Sequence, residues 1–281
     1  MTRYFVYDVF TNSPFGGNPL AVIPDARNIA EETLQKIARE FNFSETTFVY
    51  PAESEEHTAR VRIFTPTMEI PFAGHPVIGT ALALRDEGAK GPLTFELGVG
   101  PITCQISESS AEFLTQAPLE HLADPDPTLV AEALGKTTDA IDFSVHPPCM
   151  ASLGLAFTIT QLKDRESLAS LTPDIAAFRR GRDAHPSSLD FAQFAYVREG
   201  SQVFARMFAP LDDIPEDPAT GSACATLGAL LAKIESTPVT LSILQGEDMG
   251  RPSAISVVAD SNGVTVSGNA VRVMEGAFSF A

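Results

Sequence analysis

Cysteine is scarce in this chain of 281 residues: Cys104, Cys149 and Cys224 are all it has. They are widely spaced, with neither metal-ligand spacing nor the pattern of a disulfide framework. A reducing cytoplasm is the natural inference. Positive charge is also short. Lys and Arg number 19 against 36 Asp and Glu, for a formal net charge of -17. That balance argues against nucleic acid or an anionic membrane as main partner. An anionic substrate stays compatible with it, because a local nest of N–H groups can override the global field. No apolar run approaches the roughly 18 residues of a membrane span. The start, Met1 to Asp8, lacks the basic segment, apolar block and cleavage site of a signal peptide. A Gly-x-Gly-x-x-Gly after a strand, a phosphate loop and a Gly-x-Ser-x-Gly elbow are all missing. No nicotinamide, flavin or pyridoxal cofactor is expected, and no metal. His57, His121, His146 and His185 are scattered and read as surface or packing residues.

What is present suits a globular protein with a full core: 44% of residues are hydrophobic and 20% charged. The length suits two domains. Strand patterns run over Tyr4–Phe10, Leu20–Ile23, Thr46–Tyr50, Ala59–Phe64, Leu93–Leu97 and Ile102–Ile106. Ala30–Phe41 carries Leu34, Ile37, Ala38 and Phe41 at helical spacing. Glu112–Gln116 adds a strand. The proline-rich 121–127 reads as a linker, and Pro127–Leu134 as a short helix. Beyond it, Ala156–Leu162, Phe191–Val197, Gln202–Phe208, Leu241–Gln245, Ser253–Val258, Val264–Ser267 and Val271–Met274 read as strands. Asp164–Arg179, apart from Pro173, and Ala223–Ile234 read as helical.

The two halves repeat a plan. Arg62-Ile63-Phe64-Thr65-Pro66 resembles Arg206-Met207-Phe208-Ala209-Pro210, at an offset of 206 − 62 = 144. Gly74-His75 can be laid on Gly221-Ser222, at 221 − 74 = 147. Agreement in order and in strand-loop-helix context argues for duplication. The expected architecture is two sheet-plus-helix lobes, 1–118 and 119–281, with a strand near 270–281 returning to the first. A cleft between them is the expected site.

Chemistry concentrates where loop becomes helix. Met68 to Ala81 surrounds one imidazole, His75, with small residues, and Glu216 to Ala223 has the same layout. The first N–H groups of a helix have no internal partners and attract anions, so Gly74 and Gly221 offer donors. His75 titrates near neutral pH and can donate or accept; its alternative is a helix cap. Glu45 is a lone acid flanked by Phe43 and Phe48. A carboxyl in an apolar pocket exchanges protons near neutrality; its alternative is a solvated turn acid. Asp217 and Ser222 can relay a proton or bind a carboxylate, or serve only as turn and cap.

Three motifs occur in order: Phe43-Ser44-Glu45-Thr46, Pro71-Phe72-Ala73-Gly74-His75-Pro76 and Asp217-Pro218-Ala219-Thr220-Gly221-Ser222-Ala223. With Val6 to Thr11, Phe15 to Pro19 and Val271 to Gly276, they resemble the PhzF-like family of phenazine-biosynthesis isomerases over essentially the whole chain. The resemblance implies an α+β fold of the diaminopimelate epimerase type. Two pseudo-symmetric domains each wrap a curved, mostly antiparallel sheet around a central helix. It also implies an isomerase working without cofactor or metal, as a homodimer. The family's acid/base falls on Glu45, and its other site residues on His75, Asp217 and Ser222. Related racemases use a pair of cysteines at the helix mouths, which this chain lacks. The expected reaction is therefore a proton moved by one carboxylate on a small carboxylic acid. The alternatives are an amino-acid epimerase, or a binding protein that kept the pocket without chemistry.

Overall fold

The computed structural model describes residues 1–280. The chain divides into two compact units. The first is Met1–Thr115 with the segment from Thr265 onward, and the second is Gln116–Val264.

The first unit opens with β1 (Arg3–Val9), β2 (Asn18–Ile23), α1 (Glu31–Phe41), β3 (Glu45–Tyr50) and β4 (Ala59–Phe64). It continues with β5 (Glu69–Ile70), α2 (Gly74–Asp86), β6 (Leu93–Leu97), β7 (Gly100–Ile106) and β8 (Ser110–Thr115). β1 pairs antiparallel with β2, β2 runs parallel to β3, and β3 is antiparallel to β4. β4 runs parallel to β6, followed by the antiparallel β6, β7 and β8. The short β5 folds back on the end of β4.

The second unit holds β9 (Glu120–Ala123), α3 (Pro127–Ala133), β10 (Cys149–Ser152), β11 (Ala156–Gln161), α4 (Arg165–Ala169) and α5 (Ile175–Ala184). After them come β12 (Gln193–Glu199), β13 (Gln202–Ala209), β14 (Ile214–Asp217), α6 (Gly221–Glu235), β15 (Val239–Gln245) and β16 (Ser253–Asp260). Its pairing repeats that of the first unit: β10 antiparallel to β11, β11 parallel to β12, β12 antiparallel to β13, β13 parallel to β15, β15 antiparallel to β16. β14 folds back on the end of β13, as β5 does on β4. This shared order of antiparallel and parallel steps is the pseudo-symmetry the repeat implied. β17 (Gly263–Ala277) carries the chain back to pair antiparallel with β1.

Each sheet curves round one helix. From Gly74 to Ala83 every residue of α2 is buried, and α2 packs on β1, β2, β3, β7 and β8. α6 likewise packs on β10, β11, β15 and β16. A helix apolar on all sides belongs in an interior. Gly79 lets α2 approach closely: a Cβ there would lie 2.5 Å from Leu20 Cδ2 and 2.7 Å from Val9 Cγ2. On the outer faces, α1 closes one cluster with Phe48 and Phe64, while α3, α4 and α5 close another with Phe191 and Phe208.

The segment 121–127 is not all linker: its first three residues belong to β9, which pairs with β10, and Pro127 opens α3. β10 is too short to show an alternation of its own, so this pairing had no local signal. Asp164–Arg179 is two helices, each begun by an Asp side chain that accepts from the helix's own N–H groups. The expected border at 118/119 moves to 115/116, where β8 ends. The return begins at Thr265 rather than near 270, because the two expected strands are one continuous β17.

Candidate active site

Glu45 is the first residue of β3, beside Leu20 of the parallel β2. Strand side chains alternate, so Glu45 shares a face with Thr47. Thr47 Oγ1 lies 2.9 Å from Thr80 Oγ1 of α2, which makes this the face toward the central helix. Phe48 points the other way, into the cluster under α1. Phe43 stacks on Phe41. The aromatic flanks seen in the sequence therefore do not line Glu45 together; an imidazole lies beside it.

That imidazole is His75, in the first turn of α2 and 4% exposed. Its Nδ1 lies 3.3 Å from Glu45 Oε2. Burial pushes the His75 pKa down to about 3, against the opposing effect of a hydrogen bond to the Pro19 carbonyl. The contact thus joins a neutral ring to the carboxyl group rather than forming an ion pair. Nε2 is buried with no hydrogen-bond partner, so the bond to Pro19 belongs to Nδ1. A carbonyl can only accept. Nδ1 therefore carries the proton, and Nε2 presents a lone pair.

In the second unit Asp217 ends β14, and Gly221 and Ser222 are the first two residues of α6. Asp217 is 5% exposed, and its Oδ2 accepts a 2.5 Å hydrogen bond from Thr220 Oγ1. Gln245, at the end of β15, is fully buried against this turn. The sequence reading missed Gln245 and Thr220. Thr220 lies inside the Asp217–Ala223 motif but reads there as turn chemistry, and Gln245 lies in no motif and far along the chain.

The two central helices begin unlike the others. Asp126, Asp164 and Asp174 cap α3, α4 and α5 with side-chain oxygens, and α1 carries Glu31 and Glu32 in its first turn. α2 and α6 have neither a side-chain cap nor an acidic residue there. Their first turns thus carry no acidic residue of their own to offset the positive ends of their dipoles. Such ends bind anions.

Cys224 does not offer a thiolate base. It is fully buried, its Sγ lies 3.9 Å from Gln245 Oε1, and burial with nearby Asp217 raises its pKa well above the ordinary value. Among the described residues, no three or more His, Cys, Asp or Glu side chains gather in a metal-binding cluster. His57 contacts Glu96, His121 contacts Asp124, His146 contacts the Tyr196 hydroxyl, and His185 stacks on Phe191.

The model of the phenazine biosynthesis-like protein family matches residues 7–276. The chain belongs to that family. The trans-2,3-dihydro-3-hydroxyanthranilate isomerase of Pseudomonas aeruginosa is 35% identical to it, over 98% of this chain and 99% of the relative. A Bacillus anthracis phenazine biosynthesis protein of the PhzF family has a solved structure similar to this one. Its TM-score is 0.86, with 28% identity and 98% of each chain covered. A probable proline racemase from Agrobacterium radiobacter shares the fold, with a TM-score of 0.65 at 10% identity over 100% of this chain and 94% of that one. This family member thus has the epimerase-type fold that its residues implied. Among the described residues no helix is long and apolar enough to cross a membrane.

Proposed function

We propose that this protein is an isomerase that moves a proton within a small carboxylic acid, with Glu45 as the group that carries it. The observation that supports this most is the Glu45–His75 contact at an uncapped helix mouth. Glu45 as carboxylate takes a proton from a carbon next to an unsaturated or carboxyl-bearing group. The C–H electron pair spreads into that group, and the protonated Glu45 returns the proton to another carbon on the same face. The Gly74 and Gly221 N–H groups and Ser222 hold the carboxylate and the developing negative charge. Preorganised donors of this kind are worth several kcal/mol in a transition state. His75 is held by its Nδ1–H bond to Pro19, lies beside Glu45 and accepts through Nε2, and Asp217 orients the substrate. Every step is a proton transfer, so the scheme calls on no cofactor or metal. A racemase needs a second base on the opposite face, and the buried, high-pKa Cys224 is ill suited to that work.

The protein works in the cytoplasm as a homodimer, with neither nucleic acid nor membrane as partner. The test is a panel of small cyclic and acyclic carboxylic acids, including the trans-2,3-dihydro-3-hydroxyanthranilate in the relative's name. Conversion of one of them to an isomer without added cofactor is expected. Tight binding of the same acids with no conversion would leave a binding protein instead.

A further inference from the structure

Gln245 and Thr220 form a small network in which every proton has one possible place. The Thr220 backbone N–H donates to Gln245 Oε1 at 3.1 Å. Gln245 Nε2 donates to the Asp217 carbonyl at 2.7 Å. A backbone N–H can only donate and a carbonyl only accept, so these two bonds fix which end of the Gln245 amide is which. Nε2 also lies 3.0 Å from Thr220 Oγ1. It must donate there too, and the one hydroxyl proton of Thr220 is then committed to Asp217 Oδ2. Neighbouring backbone holds the amide in place. Gly246 has φ +76°, and a Cβ on it would sit 2.7 Å from the Pro218 carbonyl oxygen, so the strand end and the Asp217 turn are pressed together.

We propose that Gln245 is a positioning residue for the reaction: through Thr220 it forces a hydroxyl donor onto Asp217 and so keeps that buried side chain an oriented carboxylate. This rests on the reading that Asp217 faces the substrate, but its chemistry can be measured without any substrate. A donor to the charged form favours that form. Without Gln245 the Thr220 hydroxyl could turn away, and Asp217 would take up a proton at higher pH.

The experiment is an NMR titration of the Asp217 carboxyl carbon in the full chain, assigned with Asp217→Asn. Thr220→Val keeps the shape and removes the hydroxyl. It is expected to raise the Asp217 midpoint by about one unit, a tenfold gain in proton affinity. Thr220→Ser is expected to restore the original value, and Gln245→Leu to shift it in the same direction as Thr220→Val. Should Gln245→Leu not fold, the unmutated chain still decides: the Gln245 side-chain amide signals must titrate together with Asp217. Unchanged Asp217 titration in folded Thr220→Val, or Gln245 signals that ignore it, would overturn the proposal. Failure of the isomerase reading shows separately, as no conversion of any acid by a chain whose Asp217 titrates as described.

Discussion

At the mouth of α2 the Glu45 carboxyl lies against a neutral ring at a long 3.3 Å, with one ring nitrogen unpartnered. At the mouth of α6 the carboxylate is fixed by a 2.5 Å hydroxyl bond that is itself set by a buried amide. The two mouths grew from one duplicated plan, yet one sets a carboxyl beside a buried ring and the other holds a carboxylate by a hydroxyl that an amide orients. In the proposed scheme Glu45 carries the proton and Asp217 holds the substrate.

The sharpest way to break this contrast is to neutralise each carboxyl in turn. Glu45→Gln is expected to lower kcat about 10²–10⁴-fold, the usual worth of a general acid/base, with the fold intact by circular dichroism. Asp217→Asn loses one charged hydrogen bond, about 1.5–3 kcal/mol or roughly 10–100-fold, and the loss should fall mainly on KM. Steady-state kinetics with the acid found in the panel would separate them. Equal losses in kcat would erase the division of labour.

The duplicated arginines offer a second comparison, in stability. Arg206 is nearly buried, binds both oxygens of Glu216 and donates to the carbonyls of Leu168, Ala169 and Leu171. Arg62 binds Glu31 and Glu69, whose side chains are 71% and 42% exposed. Removing Arg206 strands a mostly buried carboxylate, so Arg206→Ala is expected to cost about 3 kcal/mol. Arg62→Ala should cost about 1 kcal/mol. Urea unfolding of both variants checks the ratio.

The central helices differ more subtly. At Gly79 an added methyl meets two branched side chains at 2.5 and 2.7 Å, while at Gly228 it meets Val257 Cγ1 at 2.6 Å and next Ala259 Cβ at 3.6 Å. Helix propensity favours Ala by about 0.5–1 kcal/mol in both. Gly79→Ala should therefore destabilise by about 1–2 kcal/mol, and Gly228→Ala should be near neutral. Thermal unfolding would reveal either sign.

A last comparison lies in pH dependence. The folded pKa of His75, about 3, lies below its ordinary 6.5, so the unfolded chain takes up the proton first as pH falls. Its contribution is complete above about pH 6.5 and is lost toward pH 3, with a slope of at most about 1.4 kcal/mol per pH unit. His75→Gln should flatten the stability curve between those limits. Its persistence unchanged would mean that His75 is not buried neutral.

Much of this was legible from residue order. Small residues around His75 and after Asp217 marked both helix starts, and the repeated Arg-x-Phe strands betrayed the duplication. The parts that stayed hidden depend on pairing across distance. β10 shows itself only beside β9 and β11. Gln245 matters only because the end of β15 meets the Asp217 turn, and the burial of Phe48 away from Glu45 follows from strand alternation about a face the sequence does not name.

The central claim, that Glu45 exchanges hydrogen with carbon, is tested most directly in heavy water. Unaltered protein should place solvent deuterium on a carbon of the bound acid, and Glu45→Gln should bind the same acid and place none. Deuterium entering at the unaltered rate with Glu45→Gln would contradict the account.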